Sequence, residues 1–173
     1  MSEKIKKGIC ILRCENHNIH GIVKMEEIFE GGPIRFTVYI KNISVGKHGF
    51  HIHRLGNEQH GAESLCDHFN PEGYNHGDLN SEKSHVGDLG NLVSKNEIYY
   101  DDQGSRYRLG TVKSEFIALR VRLTGEYSVY GRSLVVHSSE DDLGKGGHED
   151  SLKTGHSGSR ILWGIIGVDD DCA

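Results

Sequence analysis

Six histidines and one aspartate fall in a pattern suited to binding metal ions. His51 and His53 stand two apart in Gly49-Phe50-His51-Ile52-His53. On a strand, residues two apart project from one face and could grip one ion. His68 follows in His68-Phe69-Asn70-Pro71, then His76, then His85-Val86-Gly87-Asp88, and His137 ends Ser133-Leu134-Val135-Val136-His137. His51, His53, His68 and His137 offer four neutral nitrogens and no carboxylate, a set that suits copper. His68, His76, His85 and Asp88 offer three nitrogens and one carboxylate, the donor set of a closed tetrahedral zinc site. His68 can serve both sets because imidazole has two ring nitrogens. A single histidine is more often a surface or hydrogen-bonded residue. It is the combination that points to a metal centre.

The elements that must position these residues read as strands. Ile34, Phe36, Val38 and Ile40 alternate with Arg35, Thr37 and Tyr39, and Ile117, Leu119, Val121 and Leu123 alternate with Arg120 and Arg122. Residues 7–13, 21–28, 89–94, 133–137 and 161–168 are further strand candidates. No window holds an amphipathic helical period over three turns, and turn signals such as Gly31-Gly32-Pro33 and Asp102-Gln103-Gly104 punctuate the runs. The expectation is an all-β sandwich or barrel. Residues 54–88 and 138–159 resist assignment as strands. Loops of that length inside a compact domain usually do a job, and both lie beside the histidines.

Length and composition set the bounds. At 173 residues the chain suits a single domain, 1–173. The apolar run 9–12 is too short for a signal peptide, and no segment is long enough to span a bilayer, so a cytoplasmic protein without membrane attachment is expected. The net charge of −5 argues against a nucleic-acid partner. Cys10, Cys14, Cys66 and Cys172 lack C-x-x-C spacing. Cys10 and Cys14 could share a strand face as two thiols. Cys66 and Cys172 could pair only if the fold brings them together.

From residues 8 to 167 the sequence resembles the copper/zinc superoxide dismutase family. The likeness is densest in 49–53, 68–71, 85–91, 134–137 and Asp141-Asp142-Leu143-Gly144-Lys145-Gly146-Gly147. The resemblance implies an eight-stranded Greek-key β-barrel, an immunoglobulin-like sandwich with two long functional loops, and a homodimer; the family's enzyme is itself one of the known sandwich architectures. It implies dismutation of superoxide to oxygen and hydrogen peroxide, with copper on His51, His53, His68 and His137. Zinc then falls to His68, His76, His85 and Asp88, with His68 as the bridge. A non-catalytic copper chaperone or metal store of the same fold is the alternative. Asp141 matches an aspartate that accepts hydrogen bonds from a copper-bound and a zinc-bound histidine, His51 and His76. Arg160 matches the arginine that holds the superoxide anion. Lys153 and Thr154 match the guiding loop, whose field Glu149 and Asp150 shape. His48 matches a structural histidine, and Gly56, Gly131 and Val168 match the dimer surface.

Two departures stand out. The family's intrasubunit disulfide aligns with Ala62 and Trp163, so neither cysteine is present. In the chain-entropy model a bridge closing a loop of about 100 residues contributes roughly 4 to 5 kcal/mol, which other features must offset. The expectation is reduced thiols, a Trp163 packed where the bridge would lie, and doubtful dependence on a copper chaperone that oxidises it. Residues 95–113 form a longer connection than the family's usual one. Tyr99, Tyr100 and Tyr107 there could extend a hairpin or meet a partner, although an exposed polar extension is the simpler reading.

Overall fold

The computed structural model describes residues 5–14 and 19–170. His17 and Cys172 lie outside the described residues, and with Cys172 any pairing to Cys66. Nine strands follow in order: β1 (Lys7–Arg13), β2 (His20–Glu27), β3 (Ile34–Lys41), β4 (Gly46–His53), β5 (Gln59–Ala62), β6 (Asp88–Tyr100), β7 (Arg106–Ala118), β8 (Ser133–His137) and β9 (Arg160–Val168). All but the short β5 close a barrel in the order β1-β2-β3-β7-β6-β4-β8-β9. Antiparallel pairing of β9 with β1 completes the ring, so no barrel strand is left with a free edge along its whole length. The chain crosses from β3 to β4 and from β7 to β8 over intervening strands, which is the Greek-key connection expected for the family.

Alternation explains why these segments pair. In β3, Ile34, Phe36, Val38 and Ile40 are buried while the residues between them are not. Cys10 and Leu12 do the same in β1, and Val23 and Met25 in β2. Inside the barrel Phe36 and Phe116 stack with centroids 5.2 Å apart, and Phe50 meets Phe116 edge-on at 6.4 Å. Each fully buried side chain of this size contributes about 1.5 to 3 kcal/mol. That apolar interior is a rigid base for the histidines on its outer wall.

One expectation needs correction. The alternating run 117–123 does not form a strand: β7 ends at Ala118. Val121 and Leu123 are buried in the core cluster, but Ile117 and Leu119 are exposed and Ala118 is buried, so the buried parity changes where the ladder ends. Two residues beyond the strand Arg120 donates from Nη1 to the carbonyls of Ser81 at 2.7 Å and Ser84 at 2.8 Å, and from Nη2 to Glu72. The region 95–113 is exposed for most of its length and is at the same time a continued hairpin. Tyr99 faces Tyr107 across the ladder, their rings stacked at 5.9 Å, and Asp101 Oδ1 accepts the amides of Gln103 and Ser105 in the turn. Pairing of β6 with β4 stops at Ser94 and of β7 with β3 at Thr111, so the hairpin runs on beyond the barrel as a two-stranded ribbon.

The long stretches 54–88 and 138–159 are mostly loop, except that β5 lies within the first and Asp88 already opens β6. The first carries β5 and a 3-10 turn, Glu63–Leu65; the second carries a single helical turn, α1 (Ser151–Thr154). Among the described residues Cys10, Cys14 and Cys66 carry no disulfide. Trp163 is half-buried on β9, between Arg13 of β1 and Val135 of β8.

Candidate metal centre

β4 differs from its neighbours in having both faces buried from His48 onward. Phe50 and Ile52 point into the core, while His51 and His53 face outward beneath the two loops. β8 repeats the arrangement: Leu134 and Val136 are core, and His137 belongs to the outer set. The register slips between Gly49 and His51 on β4 against β6, and between Val136 and His137 on β8 against β9. Such bulges re-aim the residues beside them, and here both lie next to a histidine.

The donor atoms of His51, His53, His68 and His137 all lie within 4.8 Å of one another, and so do those of His51, His68, His76 and Asp88. His85 joins the second group through Nδ1, which lies 3.2 Å from Asp88 Oδ1 and 3.4 Å from His68 Nδ1. His68 and His76 turn Nδ1 toward the same carboxylate oxygen at 3.0 and 2.9 Å. Four of the expected zinc donors therefore face one point, and the other nitrogen of His68 faces the copper set.

Four of the rings are held by their second nitrogen. His51 Nε2 and His76 Nε2 donate to the two oxygens of Asp141 at 2.8 and 2.7 Å. His53 Nδ1 donates to the Cys66 carbonyl at 2.7 Å, and His137 Nδ1 to the Gly158 carbonyl at 3.0 Å. The nitrogens left over on the copper side, His51 Nδ1, His53 Nε2, His68 Nε2 and His137 Nε2, are buried without a hydrogen-bond partner, while His76 Nδ1 meets only Asp88 Oδ1. Buried polar atoms are normally satisfied, so four orphans aimed at one point fit a metal ion, and the Nδ1 atoms of His68, His76 and His85 gathered round Asp88 Oδ1 fit a second. The donor chemistry fits copper on the first set and zinc on the second.

The electrostatics agree. Burial, reinforced by the neighbouring His68, holds His51 and His53 well below the ordinary imidazole range, and burial pushes His137 down to about 4. These rings are neutral at pH 7, the form that binds metal. Burial likewise lowers His68, outweighing the pull of Asp88. His76 goes the other way: burial opposes its charge, but Asp141 and Asp88 lift it to about 9. Asp88, despite its own burial, is held well below the carboxylate range by His68, His76 and His85.

Asp141 is itself clamped, its carbonyl and amide bonded to the Asn91 side chain at 2.8 Å each. Gly155, at φ +67, packs so closely that a Cβ there would run into Asp141 Oδ1 and lie 2.5 Å from His76 Nε2. His48 bridges the carbonyls of His137 and Ser44 at 2.8 and 2.9 Å, a structural role.

A cleft of about 790 Å³ opens onto His53, His68, His85, His137 and Arg160. Arg160 is fixed there by Nη1 to the Ala62 carbonyl at 2.5 Å and Nη2 to the Cys66 carbonyl at 2.7 Å. Asp150, Lys153 and Thr154 line the wall, whereas Glu149 is exposed on the same loop and does not. His20, His60, His148 and His156 belong to neither donor cluster. Sequence reasoning missed the Cys66 carbonyl and the cleft residues Arg54, Asp67, Tyr74 and Asn75. Only Arg54 had a signal, since it directly follows His53.

The family model for copper/zinc superoxide dismutase matches residues 19–166. Over 163 residues the chain is 43% identical to a Cu-Zn superoxide dismutase of Neurospora crassa and 40% identical to one of Yarrowia lipolytica; each match covers 94% of this chain and 97% of the relative. It is 37% identical over 161 residues to superoxide dismutase (Cu-Zn) A of Xenopus laevis, covering 93% of this chain and 97% of that one. The matched span takes in β3 to β8, both loops and every residue of the two donor clusters, and on that ground the chain belongs to the copper/zinc superoxide dismutase family.

Proposed function

We propose that the chain dismutates superoxide to oxygen and hydrogen peroxide, with copper held by His51, His53, His68 and His137 and zinc by His68, His76, His85 and Asp88. The observation that carries this reading is the set of buried, unpartnered imidazole nitrogens. When bound, copper supplies the one-electron chemistry, taking an electron from one superoxide and giving one to the next. The zinc donors leave no position for substrate and serve structure and charge.

The chain's own residues do the rest. Arg160 spends two N–H groups on the Ala62 and Cys66 carbonyls, which leaves others of its five free to hold the anion. His68 Nε2 would take up a proton as the first superoxide reacts and give it to the departing peroxide in the second half, while water in the open cleft supplies the second proton that hydrogen peroxide needs. Asp141 orients His51 and His76 together, so the two metal sets are coupled through one carboxylate. Lys153 and Thr154 guide the anion along the cleft, with Asp150 and Glu149 shaping the field. An open cleft leading to the donor set favours turnover over metal storage.

The test is metal analysis joined to a superoxide-consumption assay on the wild type and His137→Ala. Copper and zinc should both be bound and superoxide consumed, with loss of copper and activity in the variant. A wild type that binds both metals and consumes nothing rejects the reading.

The same reading includes one domain over 1–173, a cytoplasmic site of action and a homodimer. Gly56 and Gly131 lie against each other near the expected contact surface, and Val168 is 65% exposed. Sedimentation showing a monomer at micromolar concentration would sink the dimer. No helix among the described residues is long and apolar enough to cross a membrane. With Ala62 and Trp163 at the bridge positions, loading should not require a chaperone that oxidises that disulfide.

A further inference from the structure

Arg54 follows β4 directly, one residue beyond His53. Its backbone is fixed on both sides: its N–H donates to the Asp67 carbonyl at 2.8 Å and its own carbonyl accepts from Arg132 Nη1 at 2.8 Å. The residue is exposed and lines the cleft. Its guanidinium donates from Nη2 to Cys66 Sγ at 2.9 Å. Among the described residues no carboxylate lies within ion-pair distance of it, whereas Arg35 reaches Glu26 and Glu115, and Arg120 reaches Glu72. Cys66 also gives its carbonyl to Arg160. One residue is thus bracketed by two guanidiniums.

The chain carries a net charge of −5, so an approaching anion is repelled at long range. Entry depends on local positive potential, and cleft walls of low dielectric focus the field of charges along them. Of the two carboxylates lining the cleft, Asp150 is already engaged by His156 Nδ1 at 2.7 Å, and Asp67 makes no ion pair with Arg54. We propose that Arg54 is a further substrate-guiding cation of this cleft, acting beside Lys153 and Arg160 to speed the entry of superoxide. The proposal rests on the dismutase reading above.

Two measurements test it. In the metal-loaded enzyme, second-order superoxide consumption is compared for wild type, Arg54→Lys, Arg54→Gln and Arg54→Glu across ionic strength. At low salt Gln should slow the reaction about twofold and Glu about fourfold, while Lys keeps most of the rate. Screening shrinks the charge interaction to about 10 Å at 0.1 M salt, so the variants should converge as salt rises. Equal rates at every ionic strength, or a deficit that salt does not alter, would overturn the proposal.

The second readout uses the reduced, metal-free protein. Site-resolved alkylation of Cys66 by anionic iodoacetate is compared with neutral iodoacetamide, and the ratio should fall in Arg54→Gln but not in Arg54→Lys. An unchanged ratio overturns the local field. An inactive wild type would instead reject the dismutase reading, so the two failures are distinguishable.

Discussion

Arg160 Nη1 donates to the Ala62 carbonyl at 2.5 Å, across 98 residues of sequence. Ala62 stands where the family's resemblance places one half of a disulfide, and Trp163, three residues beyond Arg160, stands at the other half. The loop after β4 is therefore tied to β9 at this point by a guanidinium fork. Arg160→Lys keeps the charge but cannot span the Ala62 and Cys66 carbonyls with a planar fork. Activity should fall roughly tenfold through misplacement of the anion-binding group. Backbone amides of 62–66 should exchange faster with deuterium. Unchanged exchange with unchanged activity would show the fork to be dispensable.

Asp141 accepts from His51 and His76 at once. In Asp141→Asn one of those oxygens becomes an NH2 facing an imidazole N–H. Relief requires the ring to move its proton to Nδ1, the atom needed for the metal. Metal affinity should drop by about 10- to 100-fold. Chelator competition on the loaded protein measures this directly, and wild-type affinity in the variant would remove Asp141 from the positioning role.

Gly155→Ala tests the same carboxylate from the other side. Its φ of +67 is costly for alanine, and the new Cβ would collide with Asp141 Oδ1. The metal-free variant should be less stable by roughly 2 to 3 kcal/mol. It should also lose zinc before copper, because the crowded nitrogen belongs to His76. Calorimetry and metal analysis give both numbers, and a melting point equal to wild type would contradict the packing argument.

The legibility of this molecule in its sequence follows from how local each interaction is. The donor residues were readable because His51 and His53 share a strand face and His85 and Asp88 share a turn. Asp141 is bonded to histidines 90 and 65 residues away, so only its surrounding motif disclosed it. Arg54 and the Cys66 carbonyl matter only once the loop closes over β9, and nothing in a linear pattern marks a carbonyl. The run 117–123 misled for a related reason. Ile117 and Leu119 are exposed while Val121 and Leu123 are buried, so its regular apolar alternation hides a change of face where the ladder ends.

The metal-free protein should show a stability maximum near pH 6.5, set by imidazoles pulling in opposite directions. Burial lowers His51, His53 and His137, the last to about 4, so below about 6.5 the unfolded chain binds protons that the native state refuses. Unfolding is then favoured as pH falls, and His137 alone is worth on the order of 3 kcal/mol between those limits. His76 behaves oppositely. The carboxylates of Asp141 and Asp88 raise it to about 9, so its contribution is complete below about 6.5 and is lost as pH climbs toward 9. Metal binding takes His76 Nδ1 and displaces its proton, so the alkaline decline should disappear in the loaded protein while the acid decline remains. Melting temperatures of both forms from pH 4 to 9.5 check this. A metal-free melting point that keeps rising from pH 6.5 down to 5 would mean that the buried imidazoles do not govern the acid limb.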